Sequence, residues 1–157
     1  MFLNYLGEDR MARKQNILLV VDVQKQFETR GYDECIRYIE RHRDDYDKVI
    51  ATVFVNRPVE NPNFKRKLGY KKCQDATSYD VEFCADQIFI KSGYAIPWGV
   101  FGKNDHVDVI GTEADACVLG TCFSLWDDGI DFDILWDYVF GGDIDIAKKI
   151  AKKNFGV

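Results

Sequence analysis

Apolar residues in this chain gather into short continuous runs, and between the runs they recur at helical spacing. Asn16–Asp22, NILLVVD, is an unbroken apolar run closed by a carboxylate, the pattern of a central parallel strand buried on both faces. YDECIRYIERHRDDYD follows, with Ile36 and Ile39 on one side and charges elsewhere, and predicts a surface helix. Lys48–Asn56, KVIATVFVN, predicts a second strand. From Arg57 to Asp86 the periodicity fails; two prolines and the basic knot KRKLGYKK predict a long excursion over the sheet edge. QIFIK (Gln87–Lys91), HVDVIGT (His106–Thr112) and IDFDILWD (from Ile130) predict three more strands. ADACVLGTCFSLWDDG, with Cys117, Thr121 and Leu125 four apart and Gly129 as its stop, predicts a helix, and DIDIAKKIAKKNF predicts a last one. This alternation predicts an α/β fold: a doubly wound, Rossmann-like, mainly parallel sheet flanked by helices on both faces. A single domain over residues 1–157 is expected, with 1–15 an irregular N-terminal extension.

Composition narrows the class of protein. The chain has 157 residues, 26 acidic against 21 basic, and a formal charge of −5, which argues against a general nucleic-acid binder. No run of about 18 apolar residues is present, so no membrane segment is expected. The opening MFLNYLGEDRMARKQN does not read as a signal peptide, and the cytoplasm is the expected location. Five cysteines without CxxC spacing indicate neither a disulfide framework nor a zinc cluster.

Asp22, Lys91 and Cys117 each fall at or just past the carboxyl end of a predicted strand. In a parallel sheet those ends share one edge, where ligands bind, so residues far apart in sequence can converge there. A carboxylate able to accept a thiol proton, an ammonium that favours a thiolate, and a cysteine at a helix start together suffice for nucleophilic catalysis. Each also has a bland reading: a small buried hydrophobe for Cys117, a turn cap for Asp22, a merely structural ion pair for Asp22 with Lys91. Cys122 is expected to pack, and Cys35, Cys73 and Cys84 to be structural or exposed.

These residues lie in motifs that resemble the isochorismatase-like cysteine hydrolases, a family that includes nicotinamidases and N-carbamoylsarcosine amidases. VVDVQKQF resembles the family's D-x-Q-x-x-F opening, through Asp22, Gln24 and Phe27. IKSGYAIP resembles its lysine strand end, through Lys91 and Tyr94. VIGTEADACVLGT resembles its nucleophile segment G-x-x-T-x-x-C-V-x-x-T, through Gly111, Cys117, Val118 and Thr121, with Ala114 in place of the threonine. The resemblance implies a triad of Cys117 as nucleophile, Asp22 as general base and Lys91 as electrostatic partner. It further implies a cis peptide between Glu113 and Ala114, an oxyanion hole from the N–H groups of Ala114 and Cys117, and a homodimer or larger homo-oligomer, with Trp126 or Trp136 at a subunit contact.

The implied activity is cysteine-dependent hydrolysis of a C–N bond in a small amide or ureide, with no cofactor. Gln24, Phe27, Asn56, Arg57, Tyr94 and Trp98 are the expected substrate contacts. The nicotinamidase branch carries a D-x-H motif and a further histidine that bind a metal; here the matching region has none, and His42 and His106 fall away from the active edge, so no metal is expected. A metal-independent nicotinamidase, an isochorismatase acting on a vinyl ether, and a catalytically silent ligand-binding member are the alternatives.

Overall fold

The computed structural model describes residues 13–27, 30–74, 80–97 and 99–157. Five parallel strands form one sheet: β1 (Asn16–Val21), β2 (Lys48–Phe54), β3 (Gln87–Lys91), β4 (His106–Thr112) and β5 (Asp131–Phe140), in the order β3-β2-β1-β4-β5. Four α-helices among the described residues accompany them: α1 (Tyr32–His42), α2 (Asn63–Leu68), α3 (Leu119–Asp127) and α4 (Ile144–Phe155). The chain winds outward from β1 through β2 to β3, then returns to the other side of β1 for β4 and β5. The topological switch point therefore lies between β1 and β4.

β1 is the reason the run ILLVV is so uniformly apolar. It pairs with β2 on one side and β4 on the other, and its side chains alternate between two cores. Ile17, Leu19 and Val21 pack with Val107, Val109, Val118, Leu125, Ala147 and Ala151 under α3 and α4. Leu18 and Val20 pack with Tyr32, Cys35, Ile39 and Val49 under α1. Each such aliphatic side chain taken fully from water contributes about 1.5–3 kcal/mol, which makes β1 the best-anchored strand. β3, at the sheet edge, is the opposite case, with Ile88 and Ile90 exposed.

β3 and β4 run where the apolar pattern puts them, and β2 stops two residues sooner than expected. Three elements differ. The first helix ends at His42, and Arg43–Asp45 tightens into a 3-10 turn. β5 continues past Asp137 to Phe140, whose side chain is buried with Tyr32 in the α1 core. The excursion after β2 contains α2, a helix of under two turns closed by Gly69 in a left-handed conformation.

Gly111 has no substitute at its position in β4. Its φ is +125°, and a Cβ there would lie 2.1 Å from the carbonyl oxygen of Val21 on β1. The ladder to β5 also shifts register between Val109 and Gly111. Gly111→Ala is expected to destabilise the fold by about 3 kcal/mol or more, combining backbone strain with overpacking against a neighbouring main chain; urea denaturation followed by circular dichroism measures it.

Burial also sets an alkaline limit on stability. It pushes the Cys35 and Cys122 thiols up to about 12 from an ordinary 9.0. Because these values are raised in the folded state, the stabilisation is whole below pH 9 and is lost as pH rises toward 12, when the unfolded chain ionises and the folded one does not. Each thiol is expected to cost about 1.4 kcal/mol per pH unit in that window. Urea midpoints at pH 8, 9 and 10 should fall accordingly, and less steeply in Cys35→Ala.

Candidate active site

The turn after β1 is built by the side chains of the VDVQ segment. Asp22 follows the last strand residue with φ of 51°, a left-handed conformation that aspartate tolerates better than most residues. Its N–H donates to the carbonyl and the hydroxyl oxygen of Thr52, both at 3.2 Å, and the Thr52 hydroxyl donates back to Asp22 Oδ1 at 2.7 Å. Thr52 stands beside Val21 in the ladder, so register aims the carboxylate. Gln24 completes the turn like one further strand residue. Its Oε1 accepts from the Phe54 N–H at 2.7 Å and its Nε2 donates to the Phe54 carbonyl at 2.9 Å.

Lys91, the last residue of β3, reaches across the end of β2 to Asp22. Its Nζ donates to Asp22 Oδ2 at 2.7 Å and to the carbonyls of Gly93 and Tyr94 at 3.1 and 3.2 Å. Three donors thus meet three oxygens, the condition under which a buried ammonium is tolerable. Both partners are buried, Asp22 at 0% exposure and Lys91 at 7%. Burial alone would lower the Lys91 pKa, but Asp22 and the Cys117 sulfur outweigh it and hold the ammonium above its ordinary value. Gly120 lets the loop after β3 come this close: a Cβ there would lie 2.8 Å from Tyr94 Cβ.

Cys117 arrives from β4 through a single π-type turn, Ala114–Val118, which leads into α3. The Glu113 carbonyl accepts the N–H groups of Ala116 at 3.2 Å and Val118 at 3.0 Å. The thiol is close enough to the Asp22 carboxylate and the Lys91 ammonium for both to act on its ionisation. Asp22, Lys91 and Cys117 therefore converge at the switch point. Burial pushes the Cys117 thiol up and Asp22 adds to it, while Lys91 pulls the other way.

Over the sulfur lies a cavity of about 270 Å³ lined by Phe27, Phe54, Phe64, Leu68, Tyr70, Tyr94, Glu113, Ala116 and Cys117. A larger groove of about 520 Å³ runs along Ile39, Arg43 and Val81–Cys84, away from the three converging residues. Of the expected substrate contacts, Phe27 and Tyr94 line the cavity. Gln24 does not, because both ends of its carboxamide are held by Phe54. Asn56 is buried, its N–H bonded to the Cys73 carbonyl and its Nδ2 to the Tyr70 carbonyl, so it anchors the excursion. Arg57 pairs with Glu60 at 2.9 Å near the surface. Trp98 lies outside the described residues.

The backbone before Cys117 departs from expectation. No cis peptide bond occurs among the described residues, so Glu113–Ala114 is trans, the form favoured at any bond not preceding proline. The Ala114 N–H then donates to the Gly141 carbonyl at 3.2 Å and is not offered to the cavity. Of the two expected oxyanion donors, only the Cys117 N–H is left. Five wall residues, Phe54, Phe64, Leu68, Tyr70 and Ala116, were absent from the expected contacts. The signal for Phe64, Leu68 and Tyr70 was their place among the lysines of NFKRKLGYKK, spaced too briefly to show a period.

Neither histidine is near this site. His42 ends α1, stacked on Tyr38. His106 begins β4 at the opposite edge of the sheet, where with Asp108 and Asp133 it forms the group among the described residues close enough to share a metal ion. There Nδ1 lies 2.8 Å from Asp131 and Nε2 3.2 Å from Asp108. Partial burial disfavours its protonation, but these carboxylates outweigh that and raise its pKa. No helix among the described residues is long and apolar enough to cross a membrane.

Iodoacetamide labelling reads the resting state of the nucleophile candidate. The rate at Cys117 is expected to climb about tenfold per pH unit from 7 to 9, because only the thiolate reacts and its fraction is small throughout; a rate that levels off near pH 7 would contradict a thiol pushed up by burial.

No protein-family model matches the chain, and no curated protein aligns with it. Solved structures do. N-carbamoylsarcosine amidase from Thermoplasma acidophilum superposes with a TM-score of 0.72 at 20% identity, over 90% of this chain and 93% of that one. The pyrazinamidase/nicotinamidase of Streptococcus mutans UA159 gives 0.73 at 13% identity, over 90% and 98%. An isochorismatase-like hydrolase from Alkaliphilus metalliredigens gives 0.67 at 12% identity, over 88% and 90%. The chain thus has the α/β fold of the isochorismatase-like hydrolases, built on an all-parallel five-stranded sheet.

Proposed function

We propose that the chain is a single-domain, cysteine-dependent amidohydrolase of the isochorismatase-like family that cleaves a C–N bond in a small amide or ureide. The observation that carries this reading is the junction of Asp22, Lys91 and Cys117 at the switch point, with Cys117 lining an open aromatic cavity. Amidases and nicotinamidases of the same fold support the substrate class. The same reading places the enzyme in the cytoplasm as a homodimer or larger homo-oligomer, with the half-exposed Trp126 available for a subunit contact.

In this mechanism substrate binding displaces water, and Asp22 accepts the thiol proton as the Cys117 sulfur bonds to the carbonyl carbon. The C=O double bond opens to an oxyanion that takes a hydrogen bond from the Cys117 N–H. Collapse breaks the C–N bond while Asp22 returns its proton to the departing ammonia or amine, leaving a thioester. Water then attacks the thioester carbonyl, Asp22 takes its proton, and breakdown frees the acid and the thiol. Lys91 keeps the Asp22 carboxylate oriented and offsets negative charge as it develops on sulfur. Thr52 and Gln24 hold the turn that presents Asp22 and act as positioning residues.

Ammonia release from a panel of small carboxamides, carbamoyl compounds and ureides tests this directly. The parent is expected to turn over at least one compound class, and Cys117→Ala and Asp22→Asn to lose about a thousandfold or more in rate. Equal rates in parent and Cys117→Ala, or no release from any class, would overturn the reading.

A further inference from the structure

We propose that Glu113 is a specificity-determining residue, and that the cavity over Cys117 takes amides or ureides whose non-reacting part carries a positive charge: a protonated amine, a guanidinium or a quaternary ammonium. This deepens the amidohydrolase reading and rests on it for turnover, though not for binding.

The argument begins with the walls. Phe54 and Phe64 have ring centroids 4.9 Å apart, Phe64 and Tyr94 5.1 Å, and Tyr70 stands about equally far from Phe54 and Phe64, at 6.0 and 6.1 Å. Phe27 extends the group beyond Phe54 at 6.5 Å. These rings, tilted or edge-on to one another, wall a small space that suits a neutral flat group and, over a ring face, a cation.

Charge separates the two. Glu113 is the single charged residue in the lining. It sits in extended backbone between β4 and the π-type turn, and its carboxylate has no hydrogen bond or ion pair among the described residues. Both its oxygens lie over Gly141 and Gly142, where added Cβ atoms would meet Oε1 at 3.1 Å and Oε2 at 3.2 Å. Burial and the neighbouring Asp115 raise its pKa, opposed by Lys72, so the ionised carboxylate is under-compensated. The cations nearby are committed or outside. Lys91 is matched by Asp22 and two carbonyls, and Arg57 is paired with Glu60. Lys72 is exposed and absent from the lining, and Lys67 lines an adjoining hollow that shares Phe64, Leu68 and Tyr94 with this one. With Asp22 and Lys91 paired with each other, the Glu113 carboxylate is the charge at this cavity without a counter-charge among the described residues. A substrate carboxylate would face it without a counter-charge, whereas a ligand cation would gain a charge-assisted contact and the ring faces together.

Two isosteric amides isolate the charge: betaine amide, with a trimethylammonium group, and 3,3-dimethylbutanamide, with carbon in place of nitrogen. Calorimetry on the Cys117→Ala protein, which cannot turn substrate over, reads binding alone, and ammonia release by the parent reads kcat/KM. In both, the cation is expected to be favoured by about tenfold or more. Glu113→Gln is expected to bring the ratio close to one, while Asp115→Asn, whose carboxylate lies outside the lining, keeps it. Equal or inverted preference in the parent, a ratio unchanged by Glu113→Gln, or failure of both amides to bind would overturn the proposal. Cation-selective binding without ammonia release would uphold Glu113 as the selector and count against the hydrolase reading alone.

Discussion

The ion pair between Asp22 and Lys91 constrains everything around it. Two full charges lie almost out of reach of water, 2.7 Å apart, and neither is tolerable without the other. Keeping them there requires an aspartate in a left-handed turn, a threonine in register beside it, a lysine at the last position of an edge strand, and two loop carbonyls brought in by the small surface of Gly120. Removing one partner of such a pair costs about 3–5 kcal/mol because the other charge is stranded. The carboxyl end of the sheet is thus organised around an electrostatic necessity, and the cysteine is placed beside it.

Much of this was legible along the chain. Continuous apolar runs located all five strands, and the polar residues closing three of them marked the edge where chemistry gathers, because parallel strands share a direction. What escaped was short or was set by side-chain bonding. α2 spans too few residues for a period to register, and its buried residue Phe64 is surrounded by lysine and arginine. Gln24 and Asn56 sit at the active edge in sequence, yet main-chain groups of neighbouring segments hold both ends of the Gln24 amide and the Nδ2 of Asn56, which no spacing argument reveals. The Ala114 N–H is likewise claimed by Gly141, a residue close in space and distant in sequence.

The raised Cys117 thiol sets the division of labour in the proposed mechanism. A cysteine ionised in advance would need only an exposed carbonyl, whereas a thiol pushed up by burial would need its neighbour to accept a proton as the bond to carbon forms. In that mechanism sulfur reactivity is coupled to the Asp22 carboxylate and, through it, to Lys91.

β3 gives the site a weak hinge of its own. The strand that delivers Lys91 is the least anchored of the five: it stands at an edge, pairs with β2 alone, and leaves Ile88 and Ile90 in contact with solvent. Elements of this kind open locally at a free energy below that of the whole molecule. Fraying of β3 would withdraw the ammonium and leave Asp22 an unpaired charge that draws water into the floor of the cavity, while β1, β4 and the two cores stay folded. The integrity of the Asp22–Lys91 pair and global stability are consequently separate quantities in this protein, and the first is expected to be lost under milder conditions than the second.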